Sequence, residues 1–498
     1  MKPVVVLGAG SAAPSLRLAA SEVGAAWGAG GGRGGVAVCD ADEDTLTLAW
    51  RAGRDALAAA GVAAGAVDGL WWGTARPPFA EGPSHAFLST ALGCRPDVEG
   101  ALTSGSPHAG MEALAAAWDA VAAGHVEVAL VVASDALVPG LGTAGESRTG
   151  AGAAALVVRA PGDAGNGTGG AARLVGRVTR TLPVLDRYRP DAGGATEDVY
   201  DGRLFREEVY LPLLAEVGRA AAGTATVGAW AASDPDGKLA GALAKRLGAG
   251  LASAPVQAAL GDTGAAAPLL GLIEALAAGA EGSTTAVVGA IGYGGGRASA
   301  VTVEVGRPVP GARPVAALGP GRPAAYVEVL RARGQLEPLS EPIPMGVPPG
   351  GAAFVRGNIE MLALQGARCE ACGTISTPPS IHPTCIGCGG AALTVVPLAR
   401  TGRVQTFVVN QTMPPPFQAP LPLVVVDLDD GARLMVQGSP VDAATLAVGD
   451  EVVLSLYRYA LERGVPVYGY KALRRGTDDA GASGADGAGG RPAEEARR

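Results

Sequence analysis

The chain has 498 residues, enough for two or three domains and a sizeable buried core. It carries 39 basic and 47 acidic residues, and a net charge of −8 excludes the phosphate-neutralising face that a nucleic-acid binder needs. With 48% apolar and 17% charged residues it does not have the composition of a disordered chain.

In chain order, Val4–Leu7 reads as a first strand, because the apolar run stops at Gly8 and Ser11, too short for a signal-peptide core. No stretch approaches the roughly 18 apolar residues of a membrane span, so the expectation is a cytoplasmic protein with no membrane partner. Asp44–Ala60 is expected to be a helix with Leu46, Trp50, Gly53 and Leu57 on one face, followed by a strand at Leu70–Trp72. The helix Pro107–Ala123, the buried strand Val126–Ala133, a Gly-rich loop and the strand Ala151–Val158 then form a unit. That unit recurs as helix Ala265–Ala280, strand Thr284–Ile291, loop Gly292–Gly296 and strand Ser299–Val305. Order and spacing match, which predicts an internally duplicated α/β domain.

The proline-rich stretch Gly306–Gly350 marks a boundary. Beyond it, Phe354–Tyr470 holds a short helix, two cysteine pairs and five short strand patterns: Arg403–Val409, Leu421–Leu428, Ala432–Gln437, Glu451–Tyr457 and Pro466–Tyr470. Five such strands without a long helix predict a small barrel of the OB type. The expected division is 1–350 for the α/β domain, 351–396 for helix and ribbon, 397–474 for the barrel, and 475–498 for a disordered Gly/Ala/Asp-rich tail.

Cys369-x-x-Cys372 and Cys385-x-x-Cys388 lie twelve residues apart, two knuckles whose four thiolates can converge on zinc. Four sulfur ligands leave no open coordination position, so the metal is expected to be structural. His382 is close by but is not needed as a ligand, and Cys39 and Cys94 have no partner spacing. Near the start, Gly8-Ala9-Gly10-Ser11-Ala12-Ala13 after a strand fits a dinucleotide fingerprint. Against it stand the break at Gly28–Gly35 and Asp40, thirty residues beyond Gly10 where about twenty is usual. With 77 glycines in the chain such a match carries little weight.

Several stretches carry a family resemblance: Asp40-Ala41-Asp42-Glu43-Asp44, Trp72-Gly73-Thr74-Ala75-Arg76-Pro77-Pro78, Ala109-Gly110-Met111-Glu112-Ala113, Asp234-Pro235-Asp236-Gly237-Lys238, Gly261-Asp262-Thr263 and Gly292-Tyr293-Gly294-Gly295-Gly296. Through them, residues 1 to about 345 resemble the 3-hydroxy-3-methylglutaryl-CoA synthase branch of the thiolase superfamily. Residues from about Phe354 to Ala472 resemble the OB-fold, zinc-ribbon proteins that accompany thiolase-like enzymes. The resemblance implies a duplicated thiolase-like five-layer α/β fold followed by a zinc ribbon and an OB-type barrel. It also implies coenzyme A thioesters as substrates, a homodimer, and a separate thiolase as a further partner.

The chain departs from that family where its chemistry resides. The cysteine nucleophile at the start of the central helix falls on Pro107, the acid/base glutamate on Ala75, the histidine on Ser233, and two asparagines on Asp236 and Asp262. An acyl-cysteine mechanism therefore cannot run through these positions. Ser106 is either a replacement nucleophile, needing His108 or His85 as its base, or the N-cap of a helix whose first residue is Pro107. His108 is either a polar pocket residue or a base. Asp234, Asp236 and Asp262 are acid/base groups or loop caps, Tyr293 is a proton donor or packing, and Lys238 binds CoA phosphate or is solvated. Three functions follow: retro-aldol cleavage of a β-hydroxyacyl-CoA, non-catalytic acyl-CoA binding beside a true thiolase, or serine-based acyl transfer through Ser106.

Overall fold

Asp44 shows how the body starts to assemble. Its carboxylate accepts from the backbone N–H groups of Leu46 and Thr47 at 3.0 Å, and Thr47 returns a bond to the Asp44 backbone. This closed capping box starts the helix Thr45–Ala60, and Gly61 ends it in the left-handed conformation (φ 64°). The computed structural model describes residues 2–29, 32–161, 171–190, 194–198, 202–235, 237–278, 286–336, 359–413, 419–462 and 464–475.

The strands of the body form one ten-stranded sheet. From its centre outward, one half runs Val4–Ala12, Ala151–Arg159, Val128–Ala136, Gly69–Gly73, Glu99–Thr103. The other half runs Ala172–Thr181, Arg297–Val305, Ala286–Gly294, Val227–Ala232, Gly250–Leu251. In both halves the outer pairings are parallel and the inner ones antiparallel. The halves join where Val4–Val6 pairs with Ala172–Leu174. This is the duplication expected from the sequence, extended to strands whose residues gave no repeat signal.

The helices make the layers. Ala109–Ala123 and Ala267–Ala278 lie in the middle, with Leu114, Ala117, Leu269 and Leu272 fully buried in the same core. Thr45–Ala60 covers one half-sheet and Leu211–Ala222 the other. The result is the five-layer α/β arrangement. Gly8 and Gly10 belong to this packing. A Cβ on Gly8 would lie 2.6 Å from the Ala60 backbone nitrogen, and one on Gly10 would lie 2.2 Å from the Ala52 carbonyl. These glycines let strand and helix touch, and the strand continues past them to Ala12 after a shift of register between Val6 and Gly8.

The proline-rich stretch after Val305 does not leave the body at once. Arg322–Ala324 pairs with Leu16–Leu18, and the helix Tyr326–Ala332 packs beside Trp27, whose indole donates to Tyr326 Oη at 2.9 Å. The expected boundary near residue 350 and the expected tail after Arg475 lie outside the described residues. Ile375–Ser376, Gln365–Cys369 and Leu393–Pro397 form the ribbon sheet, and five strands from Thr401 to Arg474 close into the barrel. The expected strand positions hold, and the last two are longer than expected, Glu451–Glu462 and Val465–Arg474. Barrel and body share one core: Tyr470 meets Trp50 edge-on at 5.8 Å, and Tyr468 meets Phe87 at 6.2 Å.

Candidate functional site

The central helix begins two residues later than the sequence suggests, at Ala109. Ser106 Oγ accepts from the His108 backbone N–H at 3.2 Å, and Ser106 C=O accepts from Ala109 N–H at 3.1 Å. The His108 ring turns the other way. It is 1% exposed, its Nε2 lies 2.8 Å from Ser299 Oγ, and its Nδ1 lies 3.3 Å from Glu112 Oε1. Glu112 also pairs with Arg297, and its bond to His108 is the main cause that holds its carboxyl below the usual range. No hydrogen bond joins the His108 ring to Ser106, and His85 is spent on the Leu70 carbonyl at 3.0 Å.

Around Pro107 the chain gathers Asp186, Arg187, Tyr210, Asp262 and Tyr293 about a cavity of about 10 Å³. That is at the lower limit for one water. The Tyr210 and Tyr293 rings stand edge to face at 4.4 Å, and Tyr210 Oη donates to Asp186 Oδ2 at 2.9 Å. Arg187 donates to Asp262 Oδ2 at 2.6 Å, and Gly264 N–H donates to Asp262 Oδ1 at 3.0 Å. Two polar atoms remain enclosed without a partner, Tyr293 Oη and Asp186 Oδ1. Burial, with Asp186 nearby, pushes both phenols upward, so both are neutral donors across the physiological range.

The other expected positions take supporting places. Asp234 accepts from the Lys238 and Leu239 backbone N–H groups at 3.1 and 3.2 Å, just ahead of the helix Ala240–Leu247. Lys238 is exposed and borders neither this cavity nor the larger one described below. Ser233 Oγ accepts from Tyr293 N–H at 3.3 Å. Asp236 lies outside the described residues. Ala75 N–H donates to Asp135 Oδ1 at 2.9 Å, and the other oxygen of that buried carboxylate takes Ala265 N–H at 2.7 Å, tying the two halves together at the site's edge.

Sequence reasoning missed Asp135, Asp186, Arg187 and Tyr210. The run Asp186-Arg187-Tyr188-Arg189 was a usable signal in a chain with 4% aromatic and 17% charged residues. Tyr210 ends a π-helical turn, Arg206–Tyr210, which interrupts the helix and re-aims the side chains after it.

A second, much larger cavity of about 1110 Å³ opens between body and barrel, with Leu137, Arg333 and Arg458 in its wall. It backs onto the small one. Gly150, which lines it, donates to the Asp262 carbonyl at 2.9 Å, and Arg189 lies two residues from Arg187 on the same segment.

The four ribbon cysteines do converge. Their sulfurs lie within 4.8 Å of one another, with Cys369 to Cys388 at 3.6 Å and Cys372 to Cys385 at 3.5 Å. A tetrahedron with bonds of about 2.3 Å has edges of about 3.8 Å, so the set fits a tetrahedral thiophilic ion. His382 is not among them. Cys39 and Cys94 sit apart, and burial pushes both thiols up, Cys94 to about 11.

Residues 395–456 match the family described as the ChsH2 C-terminal OB-fold domain. The hydroxymethylglutaryl-CoA synthase of Pyrococcus furiosus is 35% identical over 159 residues, 32% of this chain and 45% of that protein. That of Methanococcus maripaludis is 30% identical over 167 residues, 32% of this chain and 48% of that protein. The chain thus spans about half the length of the curated relatives it matches. Among solved structures, MvaS in complex with 3-hydroxy-3-methylglutaryl coenzyme A superposes with a TM-score of 0.59 at 22% identity, over 70% of this chain and 95% of that one. A hydroxymethylglutaryl-CoA synthase complexed with CoA gives 0.58 at 17% identity, over 70% and 94%. The body has a thiolase-like fold similar to these synthases, and it is joined to an OB-fold domain.

Proposed function

We propose that this chain, a thiolase-like body joined to an OB barrel, acts on acyl-CoA thioesters and cleaves a carbon–carbon bond in a β-hydroxyacyl-CoA without forming an acyl-enzyme. One observation carries the reading. At the start of the central helix, where the resemblance puts a cysteine and this chain has Pro107, two unpartnered polar atoms face one enclosure. Tyr293 Oη is a proton donor and Asp186 Oδ1 is a proton acceptor, and cleavage of this kind needs one of each.

Asp186 takes the β-hydroxyl proton. The Cα–Cβ bond breaks, its electron pair moves into the thioester as an enolate, and the β-carbon leaves as a ketone or aldehyde. Tyr293 gives its proton to the enolate, and Asp186 returns one to the phenol through solvent or Tyr210. The Arg187–Asp262 pair, 2.6 Å apart, fixes the segment that carries Asp186. The thioester substrate class rests on likeness to synthases solved with CoA and with a β-hydroxyacyl-CoA.

A second reading, a non-catalytic acyl-CoA-binding partner of a thiolase, is favoured by the size of the enclosure, about 10 Å³, room for one water and for no acyl chain. Serine-based transfer through Ser106 has less support, since no imidazole bonds its hydroxyl. Incubation with a panel of β-hydroxyacyl-CoA thioesters, read by mass spectrometry, separates the two readings. Cleavage predicts a free carbonyl product and a shortened acyl-CoA in equal amounts, with Tyr293→Phe lowering the rate by about a hundredfold or more. Tight binding of the panel with no product establishes the partner reading instead. The ribbon cysteines are proposed to hold one structural zinc.

A further inference from the structure

The large cavity between body and barrel has an unusual charge balance. Five arginines border it: Arg76, Arg189, Arg331 and Arg333 from the body and Arg458 from the barrel. Among the described residues none of the five forms an ion pair with a carboxylate. Arg76 donates to the Gly194 carbonyl, Arg333 to Thr149 and Arg458 to Ala41, all neutral acceptors that leave the positive charge in place. The two acids in the wall are already engaged. Glu43 pairs with Arg51 and Ser15, and Asp44 caps its helix and accepts from Tyr468.

Arg333 lines this wall half-buried. Its Nη1 is enclosed and has no hydrogen-bond partner. Burial pulls its pKa down to about 10, and burial with the Arg189 charge lowers that of Arg76. The buried carboxylates Glu146 and Asp135 offset part of the Arg333 and Arg76 charges, and what remains costs free energy that an anionic ligand would return. The rest of the wall is largely apolar, with Leu137, Val138 and Leu461 among it.

We propose that this cavity binds an elongated organic anion, its charged end held by Arg333, Arg189 and Arg331 and its apolar length lying against Leu137, Val138 and Leu461. Two sources share that chemistry: the phosphorylated end of coenzyme A, or the distal carboxylate of a long acyl chain whose thioester reaches the tyrosine pair. The choice of these two ligands rests on the proposed acyl-thioester function; the existence of an anion site rests on the arginines alone. Guanidinium forks suit both phosphate and carboxylate.

Calorimetry on the full chain tests it with two probes, coenzyme A without an acyl group and dodecanedioate. Binding of coenzyme A assigns the nucleotide end, and binding of the dicarboxylate assigns the acyl end. In either case R189A/R331A, two exposed side chains of the wall, and R333M each weaken it by about tenfold or more. Failure of both probes to bind overturns the site, as does binding that these variants leave unchanged. Y293F separates this inference from the cleavage reading: it retains probe binding while losing turnover. Binding without turnover of any thioester overturns only the cleavage, and turnover with unchanged KM in R189A/R331A overturns only the anion site.

Discussion

Tyr468, on the last strand of the barrel, donates a 2.6 Å hydrogen bond to Asp44 Oδ2, while Asp44 Oδ1 caps the helix Thr45–Ala60. One carboxylate thus starts a helix of the body and anchors the barrel. The Tyr468 phenol is pushed well above its ordinary value, first by burial and then by Asp44, so it stays a donor. Tyr468→Phe is expected to cost about 1.5–3 kcal/mol, the range for a bond to a charged group. Asp44→Ala removes cap and anchor together and is expected to cost more. Urea denaturation of both variants checks the order, and an Asp44→Ala loss no larger than that of Tyr468→Phe contradicts it.

Gly10 is a contact point between the first strand and the helix Thr45–Ala60. Gly10→Ala places a methyl 2.2 Å from the Ala52 carbonyl on the buried face of that helix, where neither backbone can yield easily. A loss of about 1–3 kcal/mol is expected, with no change in any nucleotide affinity. Thermal unfolding and nucleotide titration of the variant report the two halves of that statement.

Asp40 gives the protein a pH dependence of definite sign. Burial, then the neighbouring Asp42, raises its carboxyl to about 6 despite Arg322. Because the folded value exceeds the unfolded one, the folded state binds the extra proton between about pH 4 and 6. Its contribution is fully present below the unfolded value and is lost as pH rises through about 6. Asp40→Asn should therefore gain relative to the parent between pH 5 and pH 8, read from urea midpoints at both values.

Metal removal should act on the ribbon before the body. Full-length protein is expected to carry one zinc per chain, with Cys372→Ser or Cys385→Ser lowering that content by most of an equivalent. Metal analysis by mass spectrometry measures it. Proteolysis should then cut first within 365–397, the span of the ribbon sheet. Cutting elsewhere first would show that the ribbon stands without its ion.

The parts of this fold that were legible in the sequence are those fixed by short-range pattern. Two CxxC knuckles announce a cluster because their ligands are local, and five alternating strands announce a barrel because each carries its own turn signals. The second half-sheet was only half visible. Ala172–Thr181, the counterpart of the first strand, carries Arg173, Arg177 and Arg180 where the first strand has no charge, and resembles its partner in nothing but position.

The site was harder still. Ser106 and His108 look like a pair in sequence, yet residues two apart at a helix start point in different directions, and the imidazole ends beside Ser299, 191 positions away. Asp186, Arg187 and Tyr210 meet Tyr293 only because the second half-sheet brings an irregular segment and a π-turn over the central helix, which no local pattern encodes.

The helix Thr45–Ala60 has the sheet on one side and the barrel on the other, with Trp50 against Tyr470 and Arg51 over the Tyr457 ring at 4.7 Å. A body made as a separate polypeptide would show that aromatic face to solvent and would lack the stretch of chamber wall that holds Arg458, Leu461 and Pro466. Joining the two in one chain sets their stoichiometry at one to one, so that every copy of the body is born with the wall it needs.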